Sequence, residues 1–123
     1  MSKAAVSSRV FAVYLFIVGA GLVLAPNLLL SLFRIPPASD VWIHVVGLLA
    51  FMIGVYAWVA GGHEDRSFLA ASVYTRLVVF IAFVAFALME WASPMVALFG
   101  VVDLAGGLWT HAALKADDRA ASR

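Results

Sequence analysis

Residues 68–92 read FLAASVYTRLVVFIAFVAFALMEWA, an apolar run in which Arg76 is the charge farthest from either end. About 20 predominantly apolar residues in a helix cross the hydrocarbon core of a bilayer, which is about 30 Å thick. The run is therefore predicted to be a transmembrane helix. A charge at such a depth costs about 3 kcal/mol on insertion scales, so Arg76 needs a structural or functional explanation.

Three further apolar segments have similar length, and the four predicted spans are residues 10–32, 41–60, 68–92 and 95–114. Of the whole chain, 65% is hydrophobic and 12% is charged, whereas a soluble domain carries roughly a quarter charged residues. Polar or proline-containing segments at residues 34–37, 61–66 and 93–94 separate the spans. The sequence predicts an all-α fold, a four-transmembrane-helix up-down bundle that forms a single integral membrane domain over residues 1–123.

Charge and cysteine content exclude several functional classes. The net charge is +1 and the basic residues are scattered, so no nucleic acid partner is expected. The chain has no cysteine, which excludes disulfides, thiol nucleophiles, thiolate metal sites and iron–sulfur clusters. Any redox role would therefore depend on a bound cofactor or on a partner subunit.

The beginning of the chain resembles a signal peptide, because residues 1–9 are polar and basic and an apolar run follows as far as Ala25. Cleavage after Ala25 would place Pro26 directly behind the cut, an unfavourable context, and the apolar pattern continues through Phe33. We therefore interpret this segment as a retained first helix that kinks or ends at Pro26. Residues 27–33 then either form a short helix along the membrane interface or continue the first helix.

The distribution of basic residues predicts the orientation. An even number of spans places both termini and the loop between the second and third spans on one side. The opposite side has only Arg34, whereas this side carries six basic residues: Lys3, Arg9, Arg66, Lys115, Arg119 and Arg123. The positive-inside rule therefore predicts that both termini are cytoplasmic. The four tryptophans fall near span ends, as in interfacial aromatic belts.

Asp103 in the fourth span is the second charge deep in an apolar segment. Its axial distance from Arg76 is about 5 Å if the span ends at Phe68 and Leu114 are aligned, and about 12 Å if residues 93–94 act as the pivot. Direct pairing is therefore left open. The alternatives are that Arg76 extends to the interface and that Asp103 either accepts hydrogen bonds from neighbouring hydroxyls or is protonated because it is desolvated. A short acidic side chain cannot reach far, so Asp103 is the stronger functional candidate.

Other polar residues suggest two clusters. Tyr74, Thr110 and His111 approach the level of Arg76, which predicts an inner polar cluster for ligand binding or coupling. His44 and Glu90 lie at similar shallow depth near the opposite end and form a secondary outer site, where they either pair or form a solvated rim. The three histidines are separated, so no metal site is predicted. No catalytic residues are predicted, because no nucleophile has a base and an orienting acid at recognisable spacing.

Two short stretches carry a family resemblance: PNLL at residues 26–29, where the first helix breaks, and FGVVDLAG at residues 99–106 in the last span. Together with the four-span layout, they resemble bacterial DoxX-like small membrane proteins. The resemblance implies a four-helix bundle in the bacterial cytoplasmic membrane. For some relatives it also implies association with quinone-linked oxidoreductases. No residue of this chain matches a catalytic motif of that family.

The sequence favours a non-enzymatic accessory or anchoring subunit that binds a lipid- or quinone-like molecule at its buried polar residues. Such a ligand would place its polar head at Arg76 and Asp103 and its tail among the helices. The alternative is an oligomeric proton-coupled transporter that uses Asp103, since four short helices leave little room for a pathway within one copy. An enzyme ranks third. The expected partners are the lipid bilayer and either further copies of the chain or a larger membrane complex.

Overall fold

The computed structural model covers residues 1–123 and consists of five helices joined by short connections. They are α1 (Lys3–Leu24), α2 (Pro26–Leu32), α3 (Trp42–Gly62), α4 (Arg66–Leu88) and α5 (Val96–Ala121). All except α2 are long and apolar enough to cross a membrane. The predicted all-α, four-transmembrane-helix up-down bundle is confirmed, and it fits an integral membrane protein.

Large apolar side chains cover the outside of the bundle, and small residues fill its contacts. On α3, for example, Val46, Leu49 and Ile53 are exposed. The buried residues of the same helix are all small: Gly47, Gly54, Ala57 and Gly61. This distribution suits lipid as the solvent, because lipid does not drive apolar helices together and close backbone approach must hold them instead.

The contact between α1 and α3 depends on glycine. A Cβ added to Gly47 would lie 2.7 Å from Leu22 Cβ and 2.8 Å from the Gly19 carbonyl oxygen, so the backbones leave no room for a side chain. A Cβ added to Gly54 would lie 3.0–3.1 Å from side-chain atoms of Phe16 and Leu15 in α1, so this contact is close but is made by side chains. Gly47, Gly54 and Gly61 recur every seventh residue, the repeat that keeps one helix face toward a partner.

The helices are arranged in the spatial order α3, α1, α5, α4. α1 packs along α3 and also contacts α5, and α5 packs along α4. Between α3 and α4, at the two ends of this series, there is almost no contact. The bundle is therefore closed on the side of α1 and α5 and open between α3 and α4.

The first predicted span is divided into two helices and begins earlier than expected, since α1 starts at Lys3 and not at residue 10. Polar groups account for the earlier start. The Ser2 side chain caps the helix by accepting from the Ala5 N–H, and the Asp117 carboxylate accepts from the N–H groups of Lys3 and Ala4 at 3.2 and 3.1 Å. α5 correspondingly continues to Ala121, past the predicted end at residue 114, whereas α4 stops at Leu88.

α2 is a separate short helix and not a continuation of the first helix, whereas its position along the membrane interface stays a prediction. Ala25 leaves the helical region, with φ −148° and ψ 66°, and Pro26 occupies the first turn of α2, where no amide hydrogen is needed. At the far end of α2, the ring of Phe33 packs on that of Phe99 in α5, with 4.7 Å between the ring centroids. The chain just after α2 thus contacts α5 at the end of the bundle opposite the termini.

Replacing Gly47 by alanine should lower the free energy of unfolding by about 1–3 kcal/mol, because the added methyl group meets backbone atoms that cannot move separately. Gly21→Ala is the matched control, since its Cβ would meet the flexible Leu29 side chain first, at 3.3 Å. Alanine also has the better helix propensity, so this variant should unfold at or above the wild-type midpoint. Circular dichroism during thermal unfolding in detergent measures the unfolding midpoints of both variants. Equal midpoints for the two variants would contradict the glycine contact.

Candidate functional site

Arg76 lies on the inner face of α4 and is 4% exposed. Its Nε donates to the Ser72 carbonyl oxygen at 3.1 Å, and its Nη2 donates to Ser72 Oγ at 2.9 Å and to Thr110 Oγ1 at 2.8 Å. The side chain leans toward the N-terminus of its own helix, as helical side chains do, and so reaches Ser72 one turn away. The guanidinium therefore does not extend to the membrane interface; it is held inside the bundle.

The hydrogen bonds of Arg76 continue into α1. Thr110 is fully buried, and its Oγ1 lies 2.8 Å from Ser7 Oγ. The Ser7 hydroxyl donates to the Ala4 carbonyl oxygen at 2.7 Å. Since each hydroxyl has one proton, the order is fixed: Arg76 donates to Thr110, Thr110 to Ser7, and Ser7 to the Ala4 carbonyl. This chain of bonds connects α4, α5 and α1.

An aromatic ring and a glycine complete the surroundings of Arg76. Its Cζ lies 4.6 Å from the ring centroid of Phe11, a cation–π contact. Nη1 is buried without a hydrogen-bond partner and lies 3.1 Å from where a Cβ of Gly106 would be. Gly106 therefore provides space for the guanidinium, and one donor of the buried cation has no acceptor.

Asp103 lies close to Arg76 but does not pair with it. Arg76 Cβ packs over Gly107, four residues from Asp103, which corresponds to an axial offset of about 6 Å. No nitrogen of Arg76 is within 4.0 Å of an Asp103 oxygen. Side chains of antiparallel helices lean in opposite axial directions, which is consistent with this separation. The Asp103 carboxylate accepts no hydrogen bond from the protein.

A cavity of about 460 Å³ joins these two residues to the gap between α3 and α4. Asp103 and Arg76 form part of its wall together with hydroxyls of Ser8, Ser72 and Thr75. The remaining wall is largely apolar and includes Leu15, Ala50, Ile53, Val79 and Phe83. The arrangement can accept a molecule with a small polar head and an apolar tail, because a charged region lies beside an apolar surface.

The predicted inner cluster is divided between two surfaces. Arg76 and Thr110 are in direct contact, as described above. Tyr74 is 70% exposed, and with His111 it lines a shallow groove of about 210 Å³ on the outside of α4 and α5. Tyr74 is two residues from Arg76, which places it about 200° around α4 from Arg76. His111 directly follows Thr110 and therefore faces a different side of α5 from Thr110.

The two residues of the secondary outer site do not pair. His44 Nδ1 donates to the Val23 carbonyl oxygen of α1 at 2.8 Å, which places the ring proton on that nitrogen. Glu90 is exposed and follows the end of α4 in the left-handed region, with φ 59°. There, Trp91 N donates to the Phe86 carbonyl oxygen at 3.0 Å and closes the helix end. Both residues thus have local structural roles.

Several residues of the site were not expected from the sequence. Ser7 and Ser8 precede residue 10, the predicted start of the first span, so the apolar pattern does not indicate that they face the interior of the bundle. Ser72 precedes Arg76 by four residues, a spacing that indicates a shared helix face.

Comparisons with models of known protein families, with characterised proteins and with solved structures give no match. The site is therefore interpreted from its own geometry.

Replacing Thr110 by valine should lower the free energy of unfolding by about 1–2 kcal/mol, because it removes an acceptor from the buried guanidinium and the donor that serves Ser7. Thr75→Val is the control of equal size, since the Thr75 hydroxyl donates only to the Ser72 carbonyl of its own helix. Urea or thermal unfolding in a fixed detergent measures the difference. A Thr110→Val protein as stable as Thr75→Val would show that the chain of bonds does not hold the helices together.

Proposed function

We propose that this protein is an accessory or anchoring subunit that binds one lipid- or quinone-like amphiphile in the cavity between α3 and α4. The observation that carries the proposal is the position of Asp103, a carboxylate without a hydrogen-bond partner, in the wall of an otherwise largely apolar cavity. Burial of an unpartnered carboxylate is costly, and a ligand that donates to it would offset that cost.

The route into the cavity supports an apolar ligand taken from the bilayer. α3 and α4 make almost no contact, so the cavity opens toward the surrounding lipid. The small side chains of Ala50 and Ala71 lie on its two sides, and Ile53 and Val79 provide apolar surface for a tail. A volume of about 460 Å³ is within the range of ligand pockets and holds a head group with part of its chain.

The polar end of the cavity favours a neutral head with a hydroxyl group. Arg76 and Asp103 have opposite formal charges, so a strongly charged head would lack compensation. Nη1 of Arg76 is shielded from the cavity, whereas the Asp103 carboxylate is only partly buried, so a ligand contacts Asp103 first. A hydroxyl can donate to Asp103, and both a glyceride and a quinol have such a group.

An accessory role is favoured over an enzyme because the hydroxyls at the cavity are already engaged. Ser8 Oγ donates to the Ala57 carbonyl at 2.9 Å, and Ser72 Oγ donates to the Leu69 carbonyl at 2.8 Å. No histidine lines the cavity to act as a base for them.

An oligomeric proton-coupled transporter is the second candidate, and the free Asp103 carboxylate is the observation that favours it. Transport requires Asp103 to exchange a proton when a substrate binds. Substrate-dependent proton movement in reconstituted vesicles, lost in Asp103→Asn, would support this candidate over the accessory subunit.

The proposed location is the cytoplasmic membrane of a bacterium with both termini in the cytoplasm, on the basis of the basic residues and the resemblance to DoxX-like proteins. Alkaline phosphatase fused after Arg123 should be inactive, because it folds only in the periplasm. A second fusion in the loop after α2 should be active. Activity of the C-terminal fusion with an inactive loop fusion would reverse the orientation.

Ligand binding is tested by the thermal shift of the purified full-length protein in detergent. The probes are monoolein, a decyl-substituted benzoquinol, its quinone and methyl oleate, which has no hydroxyl. We expect a hydroxyl-bearing probe to raise the unfolding midpoint and methyl oleate to have a much smaller effect, since ligand binding stabilises the folded state. The comparison of monoolein with the quinol identifies the source of the hydroxyl.

Two variants locate the binding. Asp103→Asn should weaken binding by roughly tenfold or more, because a hydrogen bond to a charged group contributes about 1.5–3 kcal/mol. Ala71→Phe should abolish it by filling the cavity, whereas Ala105→Phe, on an exposed face of α5, should bind as wild type does. Equal shifts in Ala71→Phe and wild type would contradict the proposed site.

A further inference from the structure

The end of the bundle that carries both termini has carboxylates with partners and cations without them. Its four carboxylates, Glu64, Asp65, Asp117 and Asp118, all take part in hydrogen bonds within the protein. Three accept from N–H groups at the starts of α1 and α4, and Asp118 pairs with Arg66 at 2.7 Å. The negative charge at this end is therefore already engaged.

Four cations at the same end have no such partner. Lys3, Lys115, Arg119 and Arg123 are exposed, and none of their side chains forms an ion pair or a hydrogen bond with the protein. Arg9 differs from them, because its Cζ lies 4.3 Å from the ring centroid of Trp58. This end of the bundle therefore presents uncompensated positive charge beside the membrane surface.

An apolar groove begins among these cations. It has a volume of about 380 Å³ and lies between the start of α1 and the last part of α5. Val6, Trp109 and Ala112 line it, and Lys3 is the one charged residue in its wall. A tryptophan beside a lysine is typical of the level where acyl chains meet head groups.

Arg119 extends the groove toward its charged end. Ala112, Ala116 and Arg119 follow the spacing of one helix face, with Arg119 two turns beyond Ala112. Helical side chains lean toward the N-terminus of their helix, so a long side chain at position 119 can reach back toward the groove from one turn beyond Ala116. Lys115 lies about 60° around α5 from Ala112, on the side away from the groove residues Trp109 and Ala113.

We propose that this groove binds one anionic phospholipid of the leaflet that surrounds the termini. The phosphate lies between Lys3 and Arg119, and one acyl chain follows the groove past Trp109. Charge complementarity identifies the ligand, since two unpaired cations flank the entrance of an apolar groove in a bilayer whose anionic lipids attract lysine and arginine. The site shares no residue with the cavity between α3 and α4, so it does not depend on the function proposed above.

The experiment measures quenching of Trp109 fluorescence by brominated lipids. The full-length protein is reconstituted into phosphatidylcholine vesicles with equal mole fractions of brominated phosphatidylglycerol or brominated phosphatidylcholine. Subtraction of the Trp109→Phe signal isolates Trp109 from the other tryptophans. We expect an apparent affinity for the anionic lipid at least roughly fivefold higher than for the neutral one, the contribution of about one cation near an anionic surface.

Two double variants distinguish binding at a specific site from general attraction of anionic lipid to a positively charged surface. The double variant Lys3→Gln, Arg119→Gln should bring the ratio of the apparent affinities for anionic and neutral lipid close to one. The control Lys115→Gln, Arg123→Gln removes the same charge at the same end of the bundle and should retain the wild-type ratio. Circular dichroism melting confirms that each variant is folded. Equal quenching by both lipids in the wild type, or equal losses in the two double variants, would overturn the proposal.

Discussion

The burial of one guanidinium group is the constraint on which the arrangement of the helices depends. A cation in a low-dielectric interior is tolerated only when hydrogen bonds and favourable charges replace water. Arg76 obtains them from its own helix through Ser72, from α5 through Thr110 and from α1 through the ring of Phe11. These partners are present only when the three helices are packed together, so the charge that opposes membrane insertion also specifies which helices meet.

The same contacts explain why the bundle is open on one side. α1 is bound to α5 by the Ser7–Thr110 hydrogen bond and to α3 by the close approach of Gly19 and Gly47. No comparable polar or glycine contact joins α3 to α4. Lipid offers no hydrophobic drive to close such a gap, so helices without a specific contact stay apart. The cavity beside Asp103 is a direct result of this uneven distribution of contacts.

The sequence predicted the features that depend on composition and missed those that depend on rotation about a helix axis. Hydropathy was sufficient for the four long helices, and Pro26 indicated the break before α2. The partners of Arg76 were only partly predicted. Depth along the helices groups Thr110 with Tyr74 and His111, but the positions of Tyr74 and His111 around their helices place them on an outer face. Ser7 was missed because apolar content cannot reveal that α1 begins at Lys3, where Asp117 of a distant helix accepts from its first amides.

Asp103 differs from the other carboxylates of the chain in a way that bears on its role. Of the seven acidic residues, the four near the termini and Asp40 accept hydrogen bonds from the protein, and Glu90 is exposed. Asp103 alone is partly buried and accepts none. An asparagine or leucine at this position would avoid the cost of an unpartnered carboxylate in an apolar cavity. A molecule that enters between α3 and α4 and donates a hydrogen bond to the Asp103 carboxylate would offset this free-energy cost. The same group that destabilises the empty protein would then stabilise the complex.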